Sequence, residues 1–341
     1  MRSSGTEVLA VLSWETAVLA VLSWETAVVP WGTAVKIVKI VGLVLFVVGL
    51  VALCVVYQRV TSQIAENLIR PRNLGRSYED PPDEVTRAFR VSVDDHGVEL
   101  DVWYTEAWGD PPPDPVDLMI ILHGIGDNKR TMWPLARRYA VHGVSSVLVD
   151  LRGHGRSSPT PITYGARDRF DLMEVLDHLE DEGMVLDDVG VYGPSYGGAV
   201  ALQLGCQDPR VTRVVSAGGF GSMRRLMRPY LRSTSEHFAW MVPTDFVRHT
   251  VELAGARAGF RPDEASATGC IADSPSAHYV LVHSPDDEVV EYDDVLDVMA
   301  ACGERCELLT LEGLTHHETL SNEPLRQRLH EFTAGEPLSS L

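Results

Sequence analysis

Residues 188–202 read Asp188-Val189-Gly190-Val191-Tyr192-Gly193-Pro194-Ser195-Tyr196-Gly197-Gly198-Ala199-Val200-Ala201-Leu202. The run to Tyr192 has the character of a short buried strand, and Gly198 to Leu204 that of a helix start. Between them, Gly193 to Gly197 fits G-x-S-x-G. The pattern is short and arises often by chance; a strand before it and a helix after it make it specific. A strand that turns straight into a helix forces the central serine into an unfavourable backbone conformation. That turn lifts its hydroxyl above the sheet, and the flanking glycines leave no Cβ to clash. Small Gly198 and Ala199 let the helix approach the sheet. The helix start then aims its amide dipoles at an oxyanion forming on a substrate. Ser195 reads as a nucleophile, against the alternative of a turn serine.

Outward from this turn, short apolar runs alternate with helical stretches. Val116–Leu122, Ser146–Val149, Val189–Tyr192, Val214–Ala217, Tyr279–Val282 and Glu307–Thr310 are strand candidates, and 168–182 has helical spacing. Phe89–Val93 and Val98–Trp103 flank an Asp/Gly turn and predict a β-hairpin. Strands alternating with helices predict an α/β chain whose mostly parallel central sheet has helices on both faces. A helical insertion is expected at about residues 221–277. Its apolar residues, among them Met223, Leu226, Met227, Tyr230, Phe238, Trp240 and Met241, are expected mainly in the core. Arg224, Arg225, Arg228 and Arg232 form a basic stripe, either a solvated helix face or a surface for an anionic substrate or lipid headgroup.

Residues 87–332 resemble the α/β-hydrolase superfamily, in particular its membrane-anchored bacterial members of the serine aminopeptidase-like and dienelactone hydrolase-like branch. His123-Gly124 stands after a strand, where the family places an HG oxyanion turn. Residues 150–157, Asp-Leu-Arg-Gly-His-Gly-Arg-Ser, resemble its D-x-R-G-x-G-x-S turn, and Tyr164-Gly165 the segment before the nucleophile strand. The resemblance implies an oxyanion hole made of the backbone amides of Ile125 and Tyr196. It implies an acid in the pattern G-x-x-D-x-V-V. Register on Val289-Val290 selects Asp287, with Ser284 in the place of the glycine and Asp286 as the alternative. It implies a base in G-x-G-H. His316 follows Gly313-Leu314-Thr315, with Thr315 in the place of a glycine and His317 as the alternative. Ser195, Asp287 and His316 then fall in the Ser…Asp…His order of this fold.

The chain carries 29 basic and 48 acidic residues, for a net charge of -19. Only Lys36, Lys39 and Lys129 are lysines. So acidic a surface repels phosphate backbones, and no nucleic-acid partner is expected. No CxxC pair occurs. His123 and His154 have no neighbours at ligand spacing, so neither a metal nor a cofactor is expected. Cys206, Cys270, Cys302 and Cys306 are expected as buried free thiols, with two disulfides in an oxidising compartment as the alternative. Cys302 and Cys306, four apart, would share one face of a helix.

The N-terminus is built differently. VLAVLSWETA occupies 8–17 and recurs at 18–27, with a degraded third copy after it. The period is too short for a solenoid unit, and no folded domain is expected in 1–34. Ile40 to Tyr57 is 18 apolar or uncharged residues flanked by Lys36, Lys39 and Arg59. This predicts a membrane helix within 35–58, because about 20 apolar residues span about 30 Å of hydrocarbon. A cleaved signal peptide is the rival, and 53–57 offers no small-residue cleavage site. The near flank favours the N-terminus inside; Arg70, Arg72 and Arg76 favour the reverse, which leaves the side of the enzyme open. Residues 59–84 read as a linker and 85–335 as the hydrolase domain.

The expected function is a membrane-tethered, single-pass serine hydrolase that cleaves a small-molecule or lipid-like carboxylic ester through Ser195, His316 and Asp287. A peptidase or acyltransferase on the same residues is the alternative, and a catalytically silent binding module the third.

Overall fold

Alternation along each strand sorts its side chains into two cores. Leu118 and Ile120, Val189 and Val191, and Tyr279 and Leu281 share one core; Met119 and Ile121, Tyr192, and Val280 and Val282 share the other. Successive residues of a strand point to opposite faces, so a sheet covered on both sides needs apolar residues at every position. The computed structural model describes residues 30–71, 80–93, 97–234, 243–273 and 277–333. The ten-residue repeat lies outside them, as do Phe238, Trp240, Met241 and 94–96 of the hairpin turn.

The strands β1 (Arg87–Val93), β2 (Val98–Thr105), β3 (Leu118–Ile121), β4 (Ser146–Val149), β5 (Val189–Pro194), β6 (Val211–Ala217), β7 (His278–His283) and β8 (Cys306–Thr310) form one eight-stranded sheet. Its order is β1-β2-β4-β3-β5-β6-β7-β8. The hairpin β1-β2 and the β2-β4 pair are antiparallel, and every other pair is parallel. The helices are α1 (Trp31–Ile69), α2 (Trp133–Val141), α3 (Asp168–Asp181), α4 (Tyr196–Gln207), α5 (Met223–Thr234), α6 (Thr244–Ala258), α7 (Thr268–Ile271), α8 (Tyr292–Cys302), α9 (His316–Leu320) and α10 (Glu323–Thr333). Residues of α3, α4 and α8 fill the first core, and α2 with Leu325 of α10 the second. The expected helical insertion between β6 and β7 comprises α5 to α7. Met223, Leu226 and Met227 of α5 are buried, whereas Arg224 pairs with Glu252 and Asp263, Arg225 pairs with Asp297, and Arg228 is exposed. The Arg232 side chain lies outside the described residues.

The chain divides into two compact units, one ending at Val60 and one starting at Thr61. In the first, α1 leaves Ile40, Val41, Leu43 and their successors to Val60 exposed. It is long and apolar enough to cross a membrane. In the second, the last turns of α1 are packed: Thr61, Ala65, Leu68 and Ile69 are buried. This corrects the reading of 59–84 as a linker. Residues 59–69 are helical, and 72–79 lie outside the described residues. The apolar residues Ile64, Ala65, Leu68 and Ile69 recur at one-turn spacing, the stripe of a core-facing helix, among Gln63, Glu66 and Asn67 that give the segment its polar look.

The cysteines correct a second expectation. Cys206 is joined to Cys270 and Cys302 to Cys306, each with Cα atoms 5.6 Å apart, within the span a disulfide bridges. Cys206 closes α4 beside Cys270 of α7, so the first bond ties the end of the insertion to the helix after Ser195. Cys302 and Cys306 do not share a helix, because α8 stops at Cys302 and β8 starts at Cys306. A bridge over a sequence separation of 64 is worth about 4 kcal/mol on chain-entropy grounds.

Candidate active site

Ser195 sits where β5 gives way to α4, at φ 49° and ψ -113°. Only two described non-glycine residues have positive φ, Ser195 and Tyr164. Such a conformation costs about 1–3 kcal/mol and persists only where the surroundings over-determine it. Two glycines make it possible. A Cβ on Gly193 would overlap the Gly197 carbonyl, and one on Gly197 would lie 2.6 Å from the carbonyl of His123. The elbow and the His123-Gly124 turn are therefore in close backbone contact, which requires glycine at both positions.

Three separate segments then converge. The Ser195 hydroxyl donates to His316 Nε2 at 3.0 Å, and His316 Nδ1 donates to Asp287 Oδ2 at 2.6 Å. Asp287 also accepts the Val289 and Val290 amides through Oδ1, both at 2.8 Å. Burial works to raise its carboxyl, but the His316 hydrogen bond and charge, the Val290 amide and His283 outweigh it and hold it below the usual carboxylate range. The two runner-up residues face elsewhere. Asp286 accepts the Gly313 amide at 2.9 Å, and His317 is exposed on α9. Thr315, where the family pattern has glycine, caps α9: its side chain accepts the Glu318 amide and Glu318 accepts the Thr315 amide. Ser284, the other departure, accepts the Asp286 amide at 3.1 Å and shapes the acid turn.

The amides of Ile125 and Tyr196 belong to residues that line the same cavity as Ser195 and His316. That of Tyr196 opens α4, so no helical carbonyl takes it. The Ile125 turn is braced from behind. His123 Nε2 accepts the Leu151 amide at 3.1 Å, so Nδ1 carries the proton and donates to the Gly124 carbonyl at 2.8 Å. Burial lowers the pKa of this imidazole and keeps it neutral. His154 packs edge-on to it at 4.9 Å and turns Nδ1 to the Arg152 carbonyl.

Sequence reasoning missed the charges beneath this turn. Asp150 accepts the Lys129 amide (2.8 Å), the Lys129 ammonium (2.6 Å) and the Arg156 amide (2.8 Å). The same ammonium pairs with Asp101 and lies 4.9 Å from the Trp103 ring centre. A lone lysine beyond the N-terminal flank of an arginine-rich chain was the available signal. The buried ammonium is a compact point charge held between two carboxylates and a ring face.

The cavity has a volume of about 140 Å³. Ile125, Phe220, Leu226, Met227 and Val289 supply its aliphatic and aromatic wall, with the rings of Tyr164, Tyr196 and Tyr230. Among the described residues its lining has no carboxylate, lysine or arginine, and His316 is its one imidazole. A serine hydroxyl bonded to an imidazole nitrogen whose other nitrogen is bonded to a carboxylate can be deprotonated as it attacks an electrophilic carbon.

A family model described as the alpha/beta hydrolase family matches residues 119–327. No curated protein matches the sequence. Among solved structures, an esterase of Pyrococcus furiosus superposes with a TM-score of 0.58 at 18% identity, over 77% of this chain and 97% of its own. The 2,6-dihydroxy-pseudo-oxynicotine hydrolase gives 0.55 at 18% identity, over 74% and 68%. A puromycin-hydrolysing peptidase of Mycobacterium tuberculosis gives 0.51 at 16%, over 76% and 41%. At these identities the likeness speaks for the fold alone.

Proposed function

Since the chain belongs to the alpha/beta hydrolase family, we propose that it is a serine hydrolase cleaving carboxylic esters of apolar acids, held at a membrane by α1. In this reading Ser195 Oγ bonds to the acyl carbon as its proton passes to His316 Nε2. Asp287 orients the imidazole and stabilises its cation. The amides of Ile125 and Tyr196 take the oxyanion. The ester C–O bond then breaks, and His316 returns the proton to the leaving alkoxide. Water adds to the acyl-enzyme with its proton going to His316, and the acid leaves as Ser195 is reprotonated.

The cavity lining carries the choice of ester over peptide. Both peptidases and esterases occur among the structural neighbours. An aminopeptidase must hold a free α-ammonium, and a buried cation needs a carboxylate partner. The described lining offers none, and the hydroxyls of Tyr196 and Tyr164 are engaged by Asp168 and the Leu68 carbonyl. We expect p-nitrophenyl esters of aliphatic acids to be hydrolysed at least about 100-fold faster, in kcat/KM, than aminoacyl nitroanilides, the separation one unpaired buried charge imposes. Anilide turnover equal to or above ester turnover would transfer the site to peptides, and no turnover of either would favour a binding module.

Tethering is supported by the exposed apolar length of α1 and by its continuation into the second unit as far as Ile69. The two disulfides favour the oxidising side of the membrane for the enzyme, because thiols on the cytosolic side are kept reduced. Lys36 and Lys39 before the apolar run agree with an inside N-terminus. Denatured without reductant, the protein should take a thiol-reactive tag at Cys54 alone, and at all five cysteines after reduction. Five tags before reduction would put the enzyme on the reducing side.

A further inference from the structure

Tyr164, whose φ of 54° makes it the second strained residue beside Ser195, has no part in the chemistry above. It is fully enclosed by its partners. The buried Asp168 carboxylate accepts the Thr163 hydroxyl (2.6 Å) and the Gly165 amide (3.0 Å), one on each side of Tyr164 in the chain. Gln203 of α4 donates to its carbonyl at 2.8 Å. Strain fixed this tightly marks a position the fold holds for a purpose.

Two sets of contacts leave this residue. Towards the elbow, its amide donates to the Tyr196 hydroxyl at 3.2 Å, that hydroxyl donates to Asp168 at 2.9 Å, and the two rings meet edge-to-face at 5.6 Å. Away from the elbow, its own hydroxyl donates to the Leu68 carbonyl at 2.8 Å, while the Ile162 amide donates to the Ile69 carbonyl at 2.9 Å. Leu68 and Ile69 close α1, where the last carbonyls have no helical donor. The loop that caps the end of α1 is therefore the loop that buttresses Tyr196.

We infer that Tyr164 is a positioning residue that fixes the Tyr196 amide at the oxyanion site by bracing it against the C-terminal end of α1. The end of the apolar helix is then part of the machinery and not only a tether. The inference rests on the reading of Ser195 as the nucleophile and of Tyr196 as an oxyanion donor.

The test uses the full chain with Tyr164→Phe, Tyr196→Phe and the double variant, each change removing one hydroxyl and no ring. Loss of a whole oxyanion donor costs about 10²- to 10³-fold in kcat. A donor displaced but still present should lose about tenfold, within that bound, with KM within about twofold because the ground state does not use it. Fluorophosphonate labelling of Ser195 should slow by the same factor. The double variant should lose about tenfold in total and not about a hundredfold, since both changes cut one linkage. A Tyr164→Phe enzyme within twofold of the parent in kcat, or fully additive losses, overturns the inference. A parent that fluorophosphonate does not label at Ser195 instead refutes the nucleophile reading, so the two failures are told apart.

Discussion

Ser195→Ala should lower ester turnover by about 10⁴- to 10⁶-fold, the range found when a nucleophile of this kind is removed while binding and oxyanion donors remain. Fluorophosphonate labelling should vanish with it. Persistent labelling of the variant would take the nucleophile role away from Ser195. Ser195→Gly adds a second reading of the same position. Alanine keeps a Cβ at φ 49° and so keeps the backbone strain. Glycine populates positive φ freely, so Ser195→Gly should be equally inactive yet more stable than Ser195→Ala by about 1 kcal/mol, a mid-range cost of about 2 kcal/mol for such a conformation less the roughly 0.5–1 kcal/mol of chain entropy that glycine loses on folding. A thermal melt of the two variants measures the difference. Equal stabilities would mean that the strained turn is not held against a cost, and the account of why Gly193 and Gly197 flank the serine would fail with it.

The elbow was legible because all its signals are local. A strand, a pair of glycines and a helix start within 15 residues state the backbone geometry without reference to the rest of the chain. The sheet was legible for a related reason: short apolar runs between helical stretches mark the strands, most of them buried on both faces although β8 is only partly buried. The candidate acid and base were only half legible. Register on a pattern selects Asp287 and His316 from pairs of identical neighbours, and what separates them in space is the turn made by Ser284 and the cap made by Thr315, the two positions that depart from the pattern. The disulfides and the end of α1 were not legible. Cys206 and Cys270 meet because α4 and α7 pack side by side, and Leu68 meets Tyr164 across 96 residues. Long-range proximity leaves no periodicity to read. Residues 59–69 misled for the opposite reason: Gln63, Glu66 and Asn67 fall on the outer side of a helix whose inner side, Thr61 apart, is apolar.

Asp287→Asn and Asp286→Asn should part by about three orders of magnitude although the residues are neighbours. Asparagine at 287 can keep its oxygen on the Val289 and Val290 amides, which now bind Oδ1 at 2.8 Å. Its NH₂ then faces His316 Nδ1, where a carboxylate oxygen stands at 2.6 Å. An imidazole that must accept at Nδ1 carries its proton on Nε2, the atom that should take the proton of Ser195. The geometry survives and the tautomer is wrong, a change expected to cost about 10⁴-fold in kcat. At 286 the carboxylate accepts the Gly313 amide at 2.9 Å. An asparagine oxygen accepts it equally well, so kcat should stay within about threefold, the scale of one retained neutral hydrogen bond. Steady-state kinetics on a p-nitrophenyl ester, with a melting curve to certify each fold, decides the matter. Reversed sensitivities would move the acid to Asp286. Two inactive variants of normal stability would mean that the neighbours act together, and that the division of labour in the turn after β7, one carboxylate for the imidazole and one for the backbone of the base loop, is wrong.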